Sequence, residues 1–190
     1  MRVIETIALV FNQKSKMKLT INQQAPDFST TDVAGNAIQL KKFKGQKVYL
    51  AFERNAGCPV CNLHTHELLK QANSLSKKNI AVLMVYESTP EKMKEYLGDE
   101  NYPFHFIADP DNTLYKKYFV EQSLGKFTKS LFNGLITKAM QGKKLFKKSI
   151  SQDGHTTTIP SEFIIDENGK LSKVHYGRFV GDHLPIQELN

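Results

Sequence analysis

Three short apolar runs, separated by segments with helical periodicity, restrict this chain to a small set of folds. Residues 48–52 and 80–86 are continuously apolar, which fits strands that are buried on both faces, and residues 104–108 are predicted as a third strand. Residues 58–77 carry apolar side chains at helical spacing, and a Ser-Thr-Pro-Glu cap predicts a further helix over residues 90–97. This β-α-β-α alternation predicts parallel strands covered by helices.

Two turn-rich segments predict β-hairpins before and after these units. Residues 28–31 and 37–40 flank an Asp-Val-Ala-Gly-Asn turn, and residues 162–166 and 171–176 are joined by an Asn-Gly turn, which is a strong hairpin signal. A helical stretch is predicted over about residues 127–148. We therefore expect an α/β fold with a central mixed sheet flanked by helices and with an N-terminal β-hairpin.

The length of 190 residues suffices for one domain with a sizeable core. We expect an N-terminal extension over residues 1–16 and the domain proper over residues 17–190, with the 127–148 helix as an insertion. Glu5 interrupts the apolar N-terminal patch and no small-residue cleavage site follows it, so a secretory signal is not expected. The two cysteines are too close in sequence to link distant parts of the fold by a disulfide bond. These features favour the cytoplasm.

A net charge of +7 and a pI near 9.3 would suit nucleic acid or an anionic membrane if the basic residues were clustered. They are mostly spread along the chain. The densest run is Lys143, Lys144, Lys147 and Lys148, near the end of the predicted 127–148 helix, where cations favourably meet the helix dipole. We therefore expect neither nucleic acid nor a membrane as a partner, and no apolar segment of about 20 residues could span a bilayer.

The motif Cys58-Pro59-Val60-Cys61 directly follows the first buried strand and opens the first helix. A cysteine at a helix N-terminus has a lowered pKa because unpaired amides and the helix dipole stabilise its thiolate. A separation of two residues lets the second sulfur reach the first and resolve a mixed disulfide. Arg54 adds positive charge nearby. The pattern indicates redox chemistry at the two thiols.

Metal binding is the main competing interpretation, because Cys58, Cys61, His64 and His66 form a C-x-x-C-x-x-H-x-H pattern. On a helix, however, His64 and His66 are about 200° apart and cannot face one ion. We expect both histidines on an exposed helix face and no metal or cofactor at the cysteines.

Four segments together resemble the alkyl hydroperoxide reductase/thiol-specific antioxidant (AhpC/TSA) peroxiredoxin-like family of the thioredoxin-like superfamily. The resemblance extends over about residues 24–188. The segments are APDF at residues 25–28, FERNAGCPVC at 52–61, ADP at 108–110 and IPSEFIIDENG at 159–169. It implies a thioredoxin-like fold and antioxidant activity on disulfides or peroxides.

The resemblance implies two different roles for the cysteines. Aligned with peroxiredoxins, Cys61 takes the place of the peroxidatic cysteine, but Arg54 stands where those enzymes usually have proline, and Pro160 where they have arginine. Aligned with thioredoxins, Cys58 attacks, Cys61 resolves, and Pro160 matches the cis-proline that faces the two cysteines. The chain lacks the tryptophan that thioredoxins usually carry before the first cysteine, which is Gly57 here.

The segment GRFVGDH at residues 177–183 also resembles the family's C-terminal part, in which Arg178 and His183 would approach the site. A surface arginine beside a capping Asp182 accounts for the same residues without catalysis.

Three functions remain open on the sequence. The first is a thiol-disulfide oxidoreductase that uses the Cys58–Cys61 pair, and the second is a thiol peroxidase that reduces hydroperoxides through Cys61. The third is a non-catalytic binding module whose cysteines are structural or bind zinc. The first two require a disulfide or small hydroperoxide substrate and an external thiol reductant. The 127–148 insertion could form a homodimer surface or a lid.

Overall fold

The computed structural model describes residues 18–98, 102–145 and 151–189. The expected extension over residues 1–16 lies outside these ranges, so the domain boundary at residue 17 stays a prediction. Across the described residues, none of the helices is both long and apolar enough to span a bilayer.

A five-stranded mixed sheet forms the centre of the molecule. The strands of the described chain are β1 (Ser29–Thr31), β2 (Ala37–Gln39), β3 (Lys47–Phe52), β4 (Ile80–Tyr86), β5 (His105–Ala108), β6 (Ser161–Ile165) and β7 (Leu171–Tyr176). The order in the central sheet is β5-β4-β3-β6-β7. The β3–β4 and β4–β5 pairs are parallel, whereas β3–β6 and β6–β7 are antiparallel. The predicted mixed α/β sheet is thus confirmed.

Alternate side chains of β3 point to opposite faces of this sheet, and both faces are buried. Tyr49 and Ala51 belong to one apolar cluster, while Val48, Leu50 and Phe52 belong to the other. Burial of each large apolar side chain contributes about 1.5–3 kcal/mol. From Val48 to Phe52 the central strand therefore carries only apolar or aromatic residues, which is why this part of its sequence lacks the polar-apolar alternation of a half-exposed strand.

Helices cover both faces of the sheet. In the described chain they are α1 (Pro59–Lys70), α2 (Ala72–Lys77), α3 (Pro90–Leu97), α4 (Thr113–Lys117), α5 (Leu124–Leu131) and α6 (Leu135–Lys143), with 3₁₀ helices over Leu40–Phe43 and Ile186–Leu189.

Two predicted helices are each divided into two. The 58–77 helix breaks at Gln71, whose amide donates to the carbonyl oxygens of Leu68 and Leu69 and so tightens the last turn of α1. The 127–148 helix is replaced by α5 and α6, because Gly134 adopts a left-handed φ of +77° that ends helical hydrogen bonding and starts a new helix. Residues 146–148 lie outside the described ranges.

The predicted N-terminal hairpin is present as the antiparallel β1–β2 pair. Its turn is closed by the Asp32 carboxylate, which accepts hydrogen bonds from the amides of Ala34 at 3.1 Å and Asn36 at 2.8 Å. Gly35 occupies the position with φ +90°, which residues with a side chain rarely adopt.

Candidate active site

The two cysteines lie where β3 ends and α1 begins. Cys58 is the N-cap of α1, with extended backbone angles, and its Sγ accepts a hydrogen bond from the Cys61 amide at 3.3 Å. Pro59 occupies the first turn, where the missing N–H has no helical partner to lose. The local sequence thus places one sulfur over the unpaired amides of a helix start.

The Cys58 sulfur receives three donors. Nη2 of Arg54 lies 3.1 Å from it, and the Cys61 thiol donates to it at a Sγ–Sγ distance of 2.6 Å, in addition to the Cys61 amide. The Arg54 amide lies 3.4 Å from the Cys61 sulfur. The sequence-predicted residues Arg54, Cys58 and Cys61 therefore form one cluster.

These contacts shift the pKa values of the two thiols in opposite directions. Burial opposes ionisation of Cys58, but the hydrogen bond from the Cys61 thiol, the Arg54 charge and the Cys61 amide lower the pKa of Cys58 to about 6. Burial raises the pKa of Cys61 well above its ordinary value, and the hydrogen bond to Cys58 and the negative charge there raise it further. Cys58 is the thiolate of the pair at neutral pH, and Cys61 keeps its proton.

Arg54 is held against the cysteines by a segment far along the chain. Its Nη1 donates to the carbonyl oxygen of Thr156 at 2.8 Å. That segment is anchored by the buried Glu87 carboxylate, which accepts from the Thr158 hydroxyl and the His155 amide, each at 2.6 Å. Glu87 and Thr156 belong to no recognisable sequence motif. Their role in positioning Arg54 was therefore not predicted from the sequence.

Pro160 lies directly before β6, and β6 pairs with β3 so that Ser161 is opposite Phe52. This register brings Pro160 to the sheet edge from which the cysteine loop leaves. The described residues contain no cis peptide bond, so the expected cis peptide at Pro160 is wrong. The Ile159 amide donates to the carbonyl oxygen of Glu121, and the Pro160 carbonyl oxygen accepts from the Gly177 amide, so hydrogen bonds anchor this segment on both sides of the Ile159–Pro160 peptide bond.

The cysteine pair is buried, and the helical insertion packs on the helix that begins there. Cys58 is 0% exposed and Cys61 is 4% exposed. In α6, Gly142 packs so closely on the first residue of α1 that a Cβ at this position would lie 1.8 Å from the Pro59 carbonyl oxygen. Both cysteines are thus enclosed, and α6 packs tightly on the helix start that carries them.

His64 is buried, which contradicts the expected exposed helix face. The reason is that the C-terminal segment packs over α1 and stacks the His183 ring on the His64 ring, with centroids 3.8 Å apart. His66 is half-buried. Arg178 does not join the cysteines: its side chain is 72% exposed and pairs with Asp182 at 2.9 Å.

His64 and His183 each bond to a buried carboxylate. His64 Nδ1 lies 2.5 Å from Glu53 Oε1, and His183 Nδ1 lies 2.6 Å from Glu162 Oε1. Burial opposes ionisation of Glu162, but His183, His64 and the Leu184 amide lower its pKa. Burial likewise disfavours the His183 cation, yet the charges of Glu53 and Glu162 raise the pKa of His183 to about 9. Sequence reasoning did not find this cluster.

Comparison with known proteins concerns the family and the fold of the chain. The sequence profile of the AhpC/TSA family matches residues 21–174. The chain belongs to the AhpC/TSA family. Within it, a protein of Coxiella burnetii with a provisional peroxiredoxin bcp name is 27% identical over 158 residues, which are 83% of this chain and 89% of that protein. Relatives with peroxiredoxin names support an oxidoreductase that acts on peroxide or disulfide.

Solved structures of thioredoxin-like proteins share the fold of this AhpC/TSA chain. The peroxidoxin BcpB of Mycobacterium tuberculosis superposes with a TM-score of 0.58 at 15% identity, over 86% of this chain and 90% of that one. An exposed lipoprotein thioredoxin of Streptococcus pneumoniae superposes with a TM-score of 0.54 at 22% identity, over 86% of this chain and 97% of that one. At these identities the likeness concerns the fold alone, and it confirms the expected thioredoxin-like architecture.

Proposed function

We propose that the protein is a thiol-disulfide oxidoreductase in which Cys58 is the attacking thiol and Cys61 the resolving thiol. The observation that carries the proposal is the convergence of the Arg54 guanidinium, the Cys61 amide and the Cys61 thiol on the Cys58 sulfur. All three favour the thiolate, which is the nucleophilic form of cysteine. No comparable cation bonds to the Cys61 side chain among the described residues.

The reaction then has two displacements. The Cys58 thiolate attacks one sulfur of the substrate disulfide, forming a mixed disulfide and releasing the other substrate sulfur as a thiolate. That thiolate takes a proton as Cys61 loses one. The Cys61 thiolate then attacks the Cys58 sulfur and releases the second substrate sulfur as a thiolate, which takes a proton from the solvent. A Cys58–Cys61 disulfide remains. Two electrons have passed to the substrate, and an external thiol reductant restores the dithiol.

The arrangement of the sulfurs favours the second step. The two Sγ atoms are 2.6 Å apart, whereas a disulfide bond is about 2.05 Å long, so ring closure needs little side-chain movement. The high pKa of Cys61 keeps it protonated and unreactive until the Cys58 negative charge has been consumed in the mixed disulfide. The same two cysteines therefore act in a defined order.

Peroxide reduction is the second candidate function, and two observations favour it. The Coxiella relative has a peroxiredoxin name, and a buried sulfur pair admits a small hydroperoxide more easily than a protein disulfide. Here the Cys58 thiolate would attack the terminal peroxide oxygen, the other oxygen would leave as an alcohol or water after protonation, and Cys61 would condense with the Cys58 sulfenic acid and release water. The alternative expected from the peroxiredoxin alignment, attack by Cys61, is disfavoured by its raised pKa.

Mass spectrometry on the reduced wild-type chain and on Cys58→Ser and Cys61→Ser tests these assignments. We expect a small disulfide substrate to be trapped as a mixed disulfide on Cys58 in Cys61→Ser, with far slower labelling of Cys61 in Cys58→Ser. In wild type the same substrate should yield the internal disulfide.

Hydrogen peroxide separates the two functions in the same assay. Rapid sulfenic acid formation in Cys61→Ser, together with slow reaction towards disulfides, would replace the first proposal by the second. Preferential labelling of Cys61 would overturn the assignment of the nucleophile. If neither electrophile reacts faster than with an unfolded control, the non-catalytic module is the remaining interpretation.

A further inference from the structure

A second cluster of chemically active side chains lies beside the cysteine pair and is not used by the redox mechanism. It consists of Glu53, which directly follows β3, His64 from α1, Glu162 from β6 and His183 from the C-terminal segment. One nitrogen or carboxylate oxygen of each residue lies within 4.8 Å of those of the other three. We call these four residues the His-Glu cluster.

The His-Glu cluster is compact and largely buried. Glu162 Oε1 lies 2.6 Å from His183 Nδ1 and 3.7 Å from His64 Nε2. Glu162 Oε2 accepts the Leu184 amide at 2.5 Å, which orients Oε1 towards the two rings. Glu53, His64 and Glu162 expose at most 4% of their side chains and His183 exposes 13%.

One oxygen of the cluster has no partner. Glu53 Oε2 is buried and accepts no hydrogen bond from any residue in the described part of the chain. A buried carboxylate is normally fully hydrogen-bonded, ion-paired or bound to a metal, because an unsatisfied buried anion is strongly disfavoured. This free oxygen lies on a carboxylate whose other oxygen already contacts His64.

We propose that the His-Glu cluster binds one divalent first-row transition-metal ion through two imidazole nitrogens and two carboxylate oxygens. Zinc binds histidine nitrogen and carboxylate oxygen at about 2.0–2.2 Å, so the ligand atoms of a tetrahedral site are roughly 3.3 Å apart. The ligand atoms of the cluster lie within 4.8 Å of one another, and each pair would therefore approach by at most about 1.5 Å on binding. Imidazole ligands favour Zn²⁺, Fe²⁺ or their neighbours over Mg²⁺ and Ca²⁺, which prefer all-oxygen sites.

The cluster also has a route for an ion to enter. A surface pocket of about 450 Å³ is lined by His64 and His183 together with Lys138 and residues of the C-terminal segment. The Lys138 ammonium donates to the Gly181 carbonyl at 2.6 Å, which holds its charge at the rim of the pocket. An accessible entry path is one of the features expected of a real metal site.

This site is distinct from the cysteine-histidine zinc pattern in the sequence. That pattern would use Cys58, Cys61 and a histidine of α1. In the structure His64 instead contacts Glu53, and the two free cysteines are hydrogen-bonded to each other and to Arg54. The proposal does not depend on the proposed redox function, because none of its four ligands is a cysteine.

Equilibrium dialysis of the full chain against Zn²⁺ or Co²⁺ alone, read by elemental analysis, tests the proposal. The decisive protein is the Cys58→Ser/Cys61→Ser double variant, which leaves the cluster intact and removes thiolate ligands. We expect one ion per chain in wild type and in this double variant. The cobalt form should show visible ligand-field bands of a low-coordinate site, without the intense near-ultraviolet band of thiolate ligation.

Single variants locate the ion. His183→Ala should weaken binding by at least about 10- to 100-fold, since loss of an outer partner alone has an effect of that size. Glu162→Gln should act likewise. His66→Asn, a histidine of the same helix outside the cluster, should bind as wild type does.

Two results would overturn the proposal. One is the absence of stoichiometric metal in the double variant, which would leave a purely ionic His-Glu cluster or a thiolate site. The other is unchanged affinity in a folded His183→Ala. If either cluster variant fails to fold, the stoichiometry and cobalt spectrum of the double variant decide the question, because that protein retains all four ligands.

Discussion

The contact between Arg54 and Cys58 gives the most direct prediction about the chemistry. Arg54→Gln keeps a hydrogen-bond donor but removes the charge, and the guanidinium it replaces lies 3.1 Å from the Cys58 sulfur. At that distance and an effective dielectric constant of about 20, two unit charges attract by roughly 5 kcal/mol. The Cys61 amide and the side chain at position 61 still stabilise the thiolate, so the net effect is smaller. We expect the pKa of Cys58 to rise by about 2 units, which corresponds to ~2.7 kcal/mol of lost thiolate stabilisation.

The predicted change is a shift of the pH profile rather than a large loss of rate at neutral pH. With a pKa of about 6, roughly 90% of Cys58 is thiolate at pH 7; after an increase of about 2 units, roughly 10% is. The thiolate of higher pKa is, however, about 6- to 10-fold more nucleophilic towards a disulfide. The two effects nearly cancel at pH 7, while the rate at alkaline pH rises.

The assay is the rate of reaction with a small disulfide as a function of pH, together with the ultraviolet absorbance of the thiolate, in the Cys61→Ser background. The midpoint should rise by about 2 units in Arg54→Gln relative to its Cys61→Ser parent. It should stay lower in Arg54→Lys, which keeps the charge. Arg178→Gln is the matched control, because that arginine is exposed and pairs with Asp182 instead. Coincident midpoints for Arg54→Gln and its parent would refute the assigned role of Arg54.

Three further predictions concern the packing of α6 on α1, the apolar core and the pH dependence of stability. Gly142→Ala would place its Cβ 1.8 Å from a carbonyl oxygen of α1, so we expect a loss of about 1–3 kcal/mol in thermal unfolding and faster alkylation of Cys58. Gly125→Ala, with no atom within 4 Å of its Cβ, should do neither, and equal effects would refute the packing argument. Phe163→Ala should cost about 3–5 kcal/mol in urea unfolding because Phe163 is fully buried, whereas Phe132→Ala, at a 90% exposed site, should cost under about 0.5 kcal/mol. Folding lowers the pKa of Cys58 from 9.0 to about 6, so its thiolate stabilises the folded state. This contribution to the free energy of unfolding is complete above pH 9 and is lost as the pH falls to about 6. The reduced chain should thus gain stability relative to Cys58→Ser as the pH rises over that window, and parallel stability curves would refute this.

Local sequence patterns were sufficient for the elements that depend on near neighbours. The strand that became β3 is apolar throughout because both faces are buried, and the turn of the first hairpin is formed by the side chain of Asp32 within its own loop. The placement of Cys58 at a helix start likewise follows from residues next to it in the chain. In each case the determining interactions span only a few residues.

The missed features depend on distant partners. His64 was expected on an exposed face because its helix was read alone, yet His183 lies 119 positions further along and covers it. The break of the 127–148 helix at Gly134 could be anticipated only as a weakness, since one glycine permits a left-handed turn without requiring it.

The sequence by itself determined that two cysteines open a helix after a buried strand, and that the surrounding units form a mixed sheet with helices on its faces. Only the tertiary structure decided which cysteine is acidic, because the Arg54 guanidinium is aimed by a carbonyl of the distant residue Thr156. It also decided that α6 packs on the first turn of α1 and that four polar side chains meet near the cysteines. Electrostatic and packing energies depend on distance in space, and sequence patterns report that distance only for residues that are close along the chain.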